Sequence, residues 1–188
     1  MLVVKDKKDS MQTIKMLKLN HFPFEIFSVD DYDGIKNFMK KYPAKEYVLR
    51  TVNKAKGKYF FVKNYDEAIK LLSNFDKEFI LDVSYNEYKE DIVLVGDIKV
   101  TRGLVDIVDL SARSDSEATQ RNIYENPEYN MHCTLEDEKL WRIPGISKIM
   151  SYIADHELYN IIVEFVVYDC KLGINKENVI INELRSSY

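Results

Sequence analysis

Two apolar, β-rich runs close the chain, residues 161–169 and 179–185. Between them lies a polar stretch, 170–178, with Gly173, Asn175 and Asn178. That order predicts a β-hairpin. Successive side chains of a strand point to opposite faces, so Ile162, Glu164 and Val166 share one face of the first run. By the same alternation Val179, Ile181, Glu183 and Arg185 share a face of the second. If the two strands pair with those faces on the same side, two carboxylates and a guanidinium meet on one surface. The rest of the chain has to fold around that surface.

The chain has 188 residues, enough to bury a sizeable core as one domain or two small lobes. It is 46% hydrophobic and 31% charged, the composition of an ordinary globular protein. A formal charge of −4 gives no basis for non-specific nucleic-acid binding, which needs a basic face. No run approaches the ~18–20 apolar residues of a membrane span, so no membrane partner is expected. The N-terminus is charged within a few residues, unlike a signal peptide. Two cysteines, Cys133 and Cys170, far apart in sequence, fit a reducing, cytoplasmic setting. His21, His132 and His156 are scattered. His132 and Cys133 are neighbours, but no further partner stands at zinc-ligand spacing.

Residues 11–19 read as a short helix, followed by an aromatic extended segment in which Pro23 keeps Phe22 out of the helical region. Asp30 or Asp31 caps a helix with the stripe Ile35, Phe38 and Met39, ending near Tyr42 and Pro43. Residues 46–52 and 58–63 form a hairpin around a basic turn that holds Lys54, Lys56 and Gly57. Asn64, three residues before Glu67, starts a helix over 65–75. Residues 78–85, 91–96, 98–101 and 104–110 continue as closely spaced, antiparallel strands. The segment 111–139 is polar and reads as a loop or lid. Ile146, Ile149, Met150 and Ile153 make an amphipathic helix ending near His156. The fold class is α+β, with mostly antiparallel sheets and helices packed on them.

Three groups of residues carry candidate chemistry. Glu164 and Glu183 repel each other unless a cation lies between them, and a hard cation prefers oxygen ligands. Arg185 on the same face is the alternative partner. Arg50, Lys54, Lys56 and Lys58 surround a glycine-containing turn that either folds over phosphates or is simply solvated. Asp82, Asp97, Asp106 and Asp109 lie in or beside strands, where aspartate is depleted. Arg113, in the polar segment, either reaches a phosphate or sits in water. It joins Arg185 as a candidate catalytic residue.

Taken in order, the Arg50 strand, the basic turn, the strand ending at Lys63, the helix from Tyr65 and the closing Glu164 and Glu183 strands resemble the ATP-grasp fold. The resemblance covers roughly residues 45–188. It implies a two-lobed protein: 1–44 as an N-terminal helical and extended segment packed on the core, 45–77 as a small hairpin-plus-helix lobe, and 78–188 as a larger antiparallel lobe. It implies ATP and Mg²⁺ as cofactors, with Glu164 and Glu183 holding the metal. Arg50, Lys56 and Lys58 stand for the phosphate-binding residues, and Asp82 falls near adenine and ribose. Arg50 replaces the usual lysine, and Arg185 sits where asparagine is common. The implied chemistry is carboxylate–amine ligation through an acyl phosphate, on an unknown small-molecule acceptor. A non-catalytic nucleotide-binding or protein-interaction module is the alternative.

Overall fold

The computed structural model describes residues 2–52, 57–114, 127–172 and 177–186. The chain divides into two compact units, one of Asp6–Lys8 and Phe22–Lys89, the other of Met1–Lys5, Asp9–His21 and Glu90–Tyr188. Each holds one antiparallel sheet, and helices complete an α+β architecture. Among the described residues no helix is long and apolar enough to cross a membrane.

The unit built on residues 22–89 contains β1 (Phe24–Ser28), α2 (Tyr32–Lys41), β2 (Tyr47–Thr51), β3 (Tyr59–Val62), α3 (Tyr65–Leu71) and β4 (Glu78–Val83). Both helices start where the sequence places their caps. The Asp31 carboxylate accepts from the Gly34 amide at 2.9 Å. Asn64 Oδ1 accepts from the Glu67 amide at 3.0 Å, and Glu67 Oε2 accepts in return from the Lys63 amide at 2.8 Å. These bonds satisfy amides that the first helical turn cannot. The strand order is β1-β4-β2-β3. Glu78–Val83 therefore does not run on into the later strands, as the sequence spacing suggests; it is the second strand of this sheet, hydrogen-bonded to β1 and β2. Phe27, Phe38, Phe75 and Phe79 form a buried aromatic cluster in this unit.

The second unit contains most of α1 (Lys7–Met16), then β5 (Ile92–Thr101), β6 (Ile107–Arg113), β7 (Tyr129–Thr134), α4 (Glu138–Trp141), α5 (Ile146–Asp155), β8 (Ile161–Leu172) and β9 (Glu177–Ser186). Its strand order is β7-β6-β5-β8-β9. Residues 91–96 and 98–101 are one strand, not two, so Asp97 lies mid-strand. The strand expected at 104–110 lies at 107–113, and β7 occupies part of the segment read as a polar loop. One face of this sheet is apolar: Val108, Leu110, Ile98, Val100, Val163, Phe165 and Leu184 are buried. At the start of α5, Gly145 adopts φ +75°, and a Cβ there would meet Val167 Cγ2 at 2.6 Å. Only glycine suits that combination of left-handed backbone and close approach.

A β-bulge corrects the expected alternation of β9. Glu164 pairs with Glu183 but Phe165 pairs with Ile181, leaving Asn182 as an extra residue. An extra residue reverses which face the following side chains take. Val179 and Ile181 therefore face the apolar side with Val167 and Phe165, while Glu183 and Arg185 face the polar side with Glu164 and Ile162.

Candidate functional site

The polar face of the five-stranded sheet is built from two cross-strand rows. In one, Asn130, Ser111, Asp97, Glu164 and Glu183 stand opposite one another across β7, β6, β5, β8 and β9. In the next, His132, Asp109, Lys99, Ile162 and Arg185 do the same. Directly opposed residues have Cβ atoms about 4.5–5.5 Å apart, close enough for like charges to repel. The first row thus sets three carboxylates side by side on three adjacent strands. Arg185, in the neighbouring row, answers them. Its guanidinium is 2.8 Å from Glu164 Oε1 and 3.0 Å from Asp97 Oδ2. Asp97 and Glu164 are only 7% and 3% exposed.

Burial pushes the Asp97 carboxyl up from 3.8 to about 6; Arg185 pulls it down and Glu183 adds to the rise. A carboxyl raised in the fold keeps a proton that the unfolded chain has already lost. Its contribution is therefore complete below about pH 4 and falls away as pH rises through 6. Asp97→Asn removes that titration. Urea unfolding between pH 4 and 7 should show wild type losing on the order of 3 kcal/mol more than the variant across this window. Parallel curves would mean that Asp97 is not the source.

Of the residues singled out in the sequence, Glu164, Glu183 and Arg185 meet on this face. Arg113 ends β6 on the same face, opposite Val95. It is close enough to Glu128 to help lower that carboxyl, behind the larger effect of hydrogen bonds from the Ser114 hydroxyl and amide. Arg50 and Asp82 are brought together in the other unit, where Arg50 Nη2 lies 2.6 Å from Asp82 Oδ2 and both side chains are largely buried. Lys58 is exposed at the foot of β3. Lys54 and Lys56 lie outside the described residues, as does the stretch 115–126 of the polar segment.

Two contributors are not evident from the sequence. Asp97, weighed singly, becomes the third carboxylate of the row only through β5–β8 pairing. His132 is considered there only as a zinc ligand. It lies directly opposite Asp109, and its Nδ1 is 2.7 Å from Asp109 Oδ1. The available signal was an aspartate in a strand, which needs a partner.

No protein-family model matches the sequence, and no curated protein does. Solved structures do. N5-carboxyaminoimidazole synthetase from Staphylococcus aureus superposes with a TM-score of 0.59 at 15% identity, over 98% of this chain and 44% of that one. D-alanyl-alanine synthetase A from Vibrio cholerae gives 0.58 at 12% identity, over 97% and 54%. An ADP complex of N5-carboxyaminoimidazole ribonucleotide synthetase gives 0.59 at 16% identity, over 98% and 45%. The chain thus spans about half the length of these ATP-grasp enzymes. What it shares with them is the fold: this chain has an ATP-grasp-like α+β fold.

Proposed function

We propose that the chain binds Mg²⁺-ATP and serves carboxylate–amine ligase-type chemistry through an acyl phosphate. The observation that supports it most is the row of Asp97, Glu164 and Glu183 on one sheet face of an ATP-grasp-like fold. Glu164 and Glu183 are the metal ligands of this reading. Their oxygen donors suit a hard cation, which typically takes one or two carboxylates and completes its shell with phosphate and water. Among the described residues no three His, Cys, Asp or Glu side chains converge on a metal position as they stand; this reading asks only for the two carboxylates. The metal, when bound, neutralises phosphate charge.

Arg185 and Arg113 are assigned to charge developing on the transferred phosphoryl group. Arg50, Lys56 and Lys58 are assigned to the phosphates, and Asp82 to adenine and ribose. Such chemistry needs little from the protein beyond positioning and electrostatic stabilisation. Isothermal titration of Mg²⁺-ATP into the full chain tests the proposal. Saturable binding is expected, weakened about tenfold by Glu183→Gln. No heat at millimolar nucleotide overturns the reading.

The Arg185 ion pairs favour a second reading, a non-catalytic nucleotide-binding or protein-interaction module with a degenerate site. A guanidinium already pairs with both Glu164 and Asp97 without any metal. Under that reading nucleotide binding is unchanged when Mg²⁺ is chelated.

A further inference from the structure

Arg185 stands on β9, the outermost strand of its sheet, and reaches inward across two neighbours. One guanidinium nitrogen, Nη2, lies 2.8 Å from Glu164 Oε1 on β8 and 3.0 Å from Asp97 Oδ2 on β5. These partners differ in how far they can move. Glu164 and Asp97 are almost wholly buried, on strands paired on both sides. The Arg185 side chain is 30% exposed and has a long, flexible stem. The guanidinium is therefore the group that can shift while the carboxylates stay.

Glu164 is thus claimed twice. The metal reading asks it to bind a divalent cation together with Glu183, its direct opposite on β9. Without metal it already holds a guanidinium. Two cations on one buried carboxylate repel each other, with little water to screen them. The charges of the row show how both can be met. At pH 8 Asp97, Glu164 and Glu183 bring three negative charges, and Arg185 answers one of them. Lys99, in the next row, is engaged with Asp109. What remains is two negative charges, the complement of one divalent cation. The balance closes when Arg185 rests on Asp97 alone and the cation takes Glu164 and Glu183.

We propose that Arg185 holds Glu164 in place of the metal, and that divalent-cation binding moves the guanidinium onto Asp97. This rests on the Mg²⁺-ATP reading and adds a lock to it. Asp97 is a positioning residue and no metal ligand: it keeps the arginine on the face. A guanidinium has five N–H groups, so an Arg185 anchored on Asp97 keeps donors for a phosphoryl oxygen. The face then presents its arginine to phosphate only once the metal is in place. The apparent affinity for the cation falls with the fraction of molecules in which Glu164 is released. By reciprocity the cation weakens the Arg185–Glu164 contact to the same degree.

The test is Mn²⁺ binding to the full chain at pH 8, read by electron paramagnetic resonance, together with ¹⁵N NMR of the arginine side chains under Mg²⁺. Arg185→Met should bind Mn²⁺ about tenfold more tightly than wild type, the gain expected if Glu164 is released in roughly one molecule in ten. Lys99→Met removes a cation from the same face but not from Glu164, and should change the affinity less than about twofold. In wild type the Arg185 Nε resonance should shift saturably with Mg²⁺ at constant ionic strength and keep its slow exchange with water. Glu183→Gln should abolish the shift. The wild-type resonance carries the test if Arg185→Met does not fold: no movement at saturating Mg²⁺ overturns the proposal. Exchange under Mg²⁺ as fast as that of free arginine overturns the move onto Asp97. Equal Mn²⁺ affinity in wild type and folded Arg185→Met overturns the lock and leaves the metal reading. Mn²⁺ binding by neither overturns both.

Discussion

Arg185→Met should destabilise the folded chain by about 3–5 kcal/mol at pH 8, the cost of removing one partner from a buried charge cluster. Methionine roughly preserves the length of the side chain, so lost charge is the main change. Asp97 and Glu164, 7% and 3% exposed, would keep their places on adjacent strands without the guanidinium that lies within 3.0 Å of both. Glu183, opposite Glu164, adds a third negative charge. The protein's escape is to bind a proton, and Asp97 is already pushed up to about 6. The loss should therefore shrink markedly at pH 5, where protonation relieves the repulsion. Urea unfolding at both pH values reads this directly. A loss below about 1 kcal/mol at pH 8 would show Arg185 to be an ordinary surface ion pair. Millimolar Mg²⁺ adds a second reading: if Glu164 and Glu183 hold the metal, it should restore stability to the variant by mass action.

The local structure was legible wherever one residue type has one physical use. Asp31 and Asn64 cap helices because their side chains accept from amides that the helix leaves over, and the stripe Ile146, Ile149, Ile153 has no purpose except burial. The parts that were not legible depend on partners distant in sequence. Tyr129–Thr134 carries Asn130, His132 and Cys133 and shows little apolar alternation, since it is an edge strand covered on neither face completely. Leu104 and Val105 drew the start of β6 too early: they sit at a hairpin tip, 109% and 59% exposed. Nothing local to residues 78–83 says that they pair with Phe24–Ser28 rather than with the strand that follows.

The candidate site divides along the same line. Period-2 alternation was enough to put Glu164, Glu183 and Arg185 on one surface. It failed one turn of the pleat away, at Asn182, because a bulge is a property of two strands in register and not of one sequence. Asp97 and the His132–Asp109 pair arise from sheet order, which joins residues across three strands.

Gly96→Ala should cost about 2–3 kcal/mol, the upper part of the range for overpacking a core, and Gly96→Val more. Gly96 lies mid-strand in β5, between Ala112 of β6 and Phe165 of β8. A Cβ there would stand 2.6 Å from the Ala112 Cβ, 2.7 Å from the Ser111 carbonyl oxygen and 2.9 Å from Phe165 Cζ. The carbonyl belongs to the sheet's own backbone and the Ala112 Cβ is fixed to it, so neither can rotate aside. Conformational preference alone predicts the opposite sign, since glycine inside a strand is worse than alanine by roughly 0.5–1 kcal/mol. Gly103→Ala is the milder comparison: its one tight contact, 3.3 Å to the Val105 carbonyl oxygen, lies in the exposed β5–β6 turn, where the backbone need give only a few tenths of an ångström; it should cost less than about 1 kcal/mol. Urea unfolding of the two variants decides between the effects. A stabilised Gly96→Ala protein would mean that β5 and β6 can part without cost. In that case the β5–β6 register that sets Asp97 beside Ser111, and Lys99 beside Asp109, would not be rigid enough to hold the polar face together.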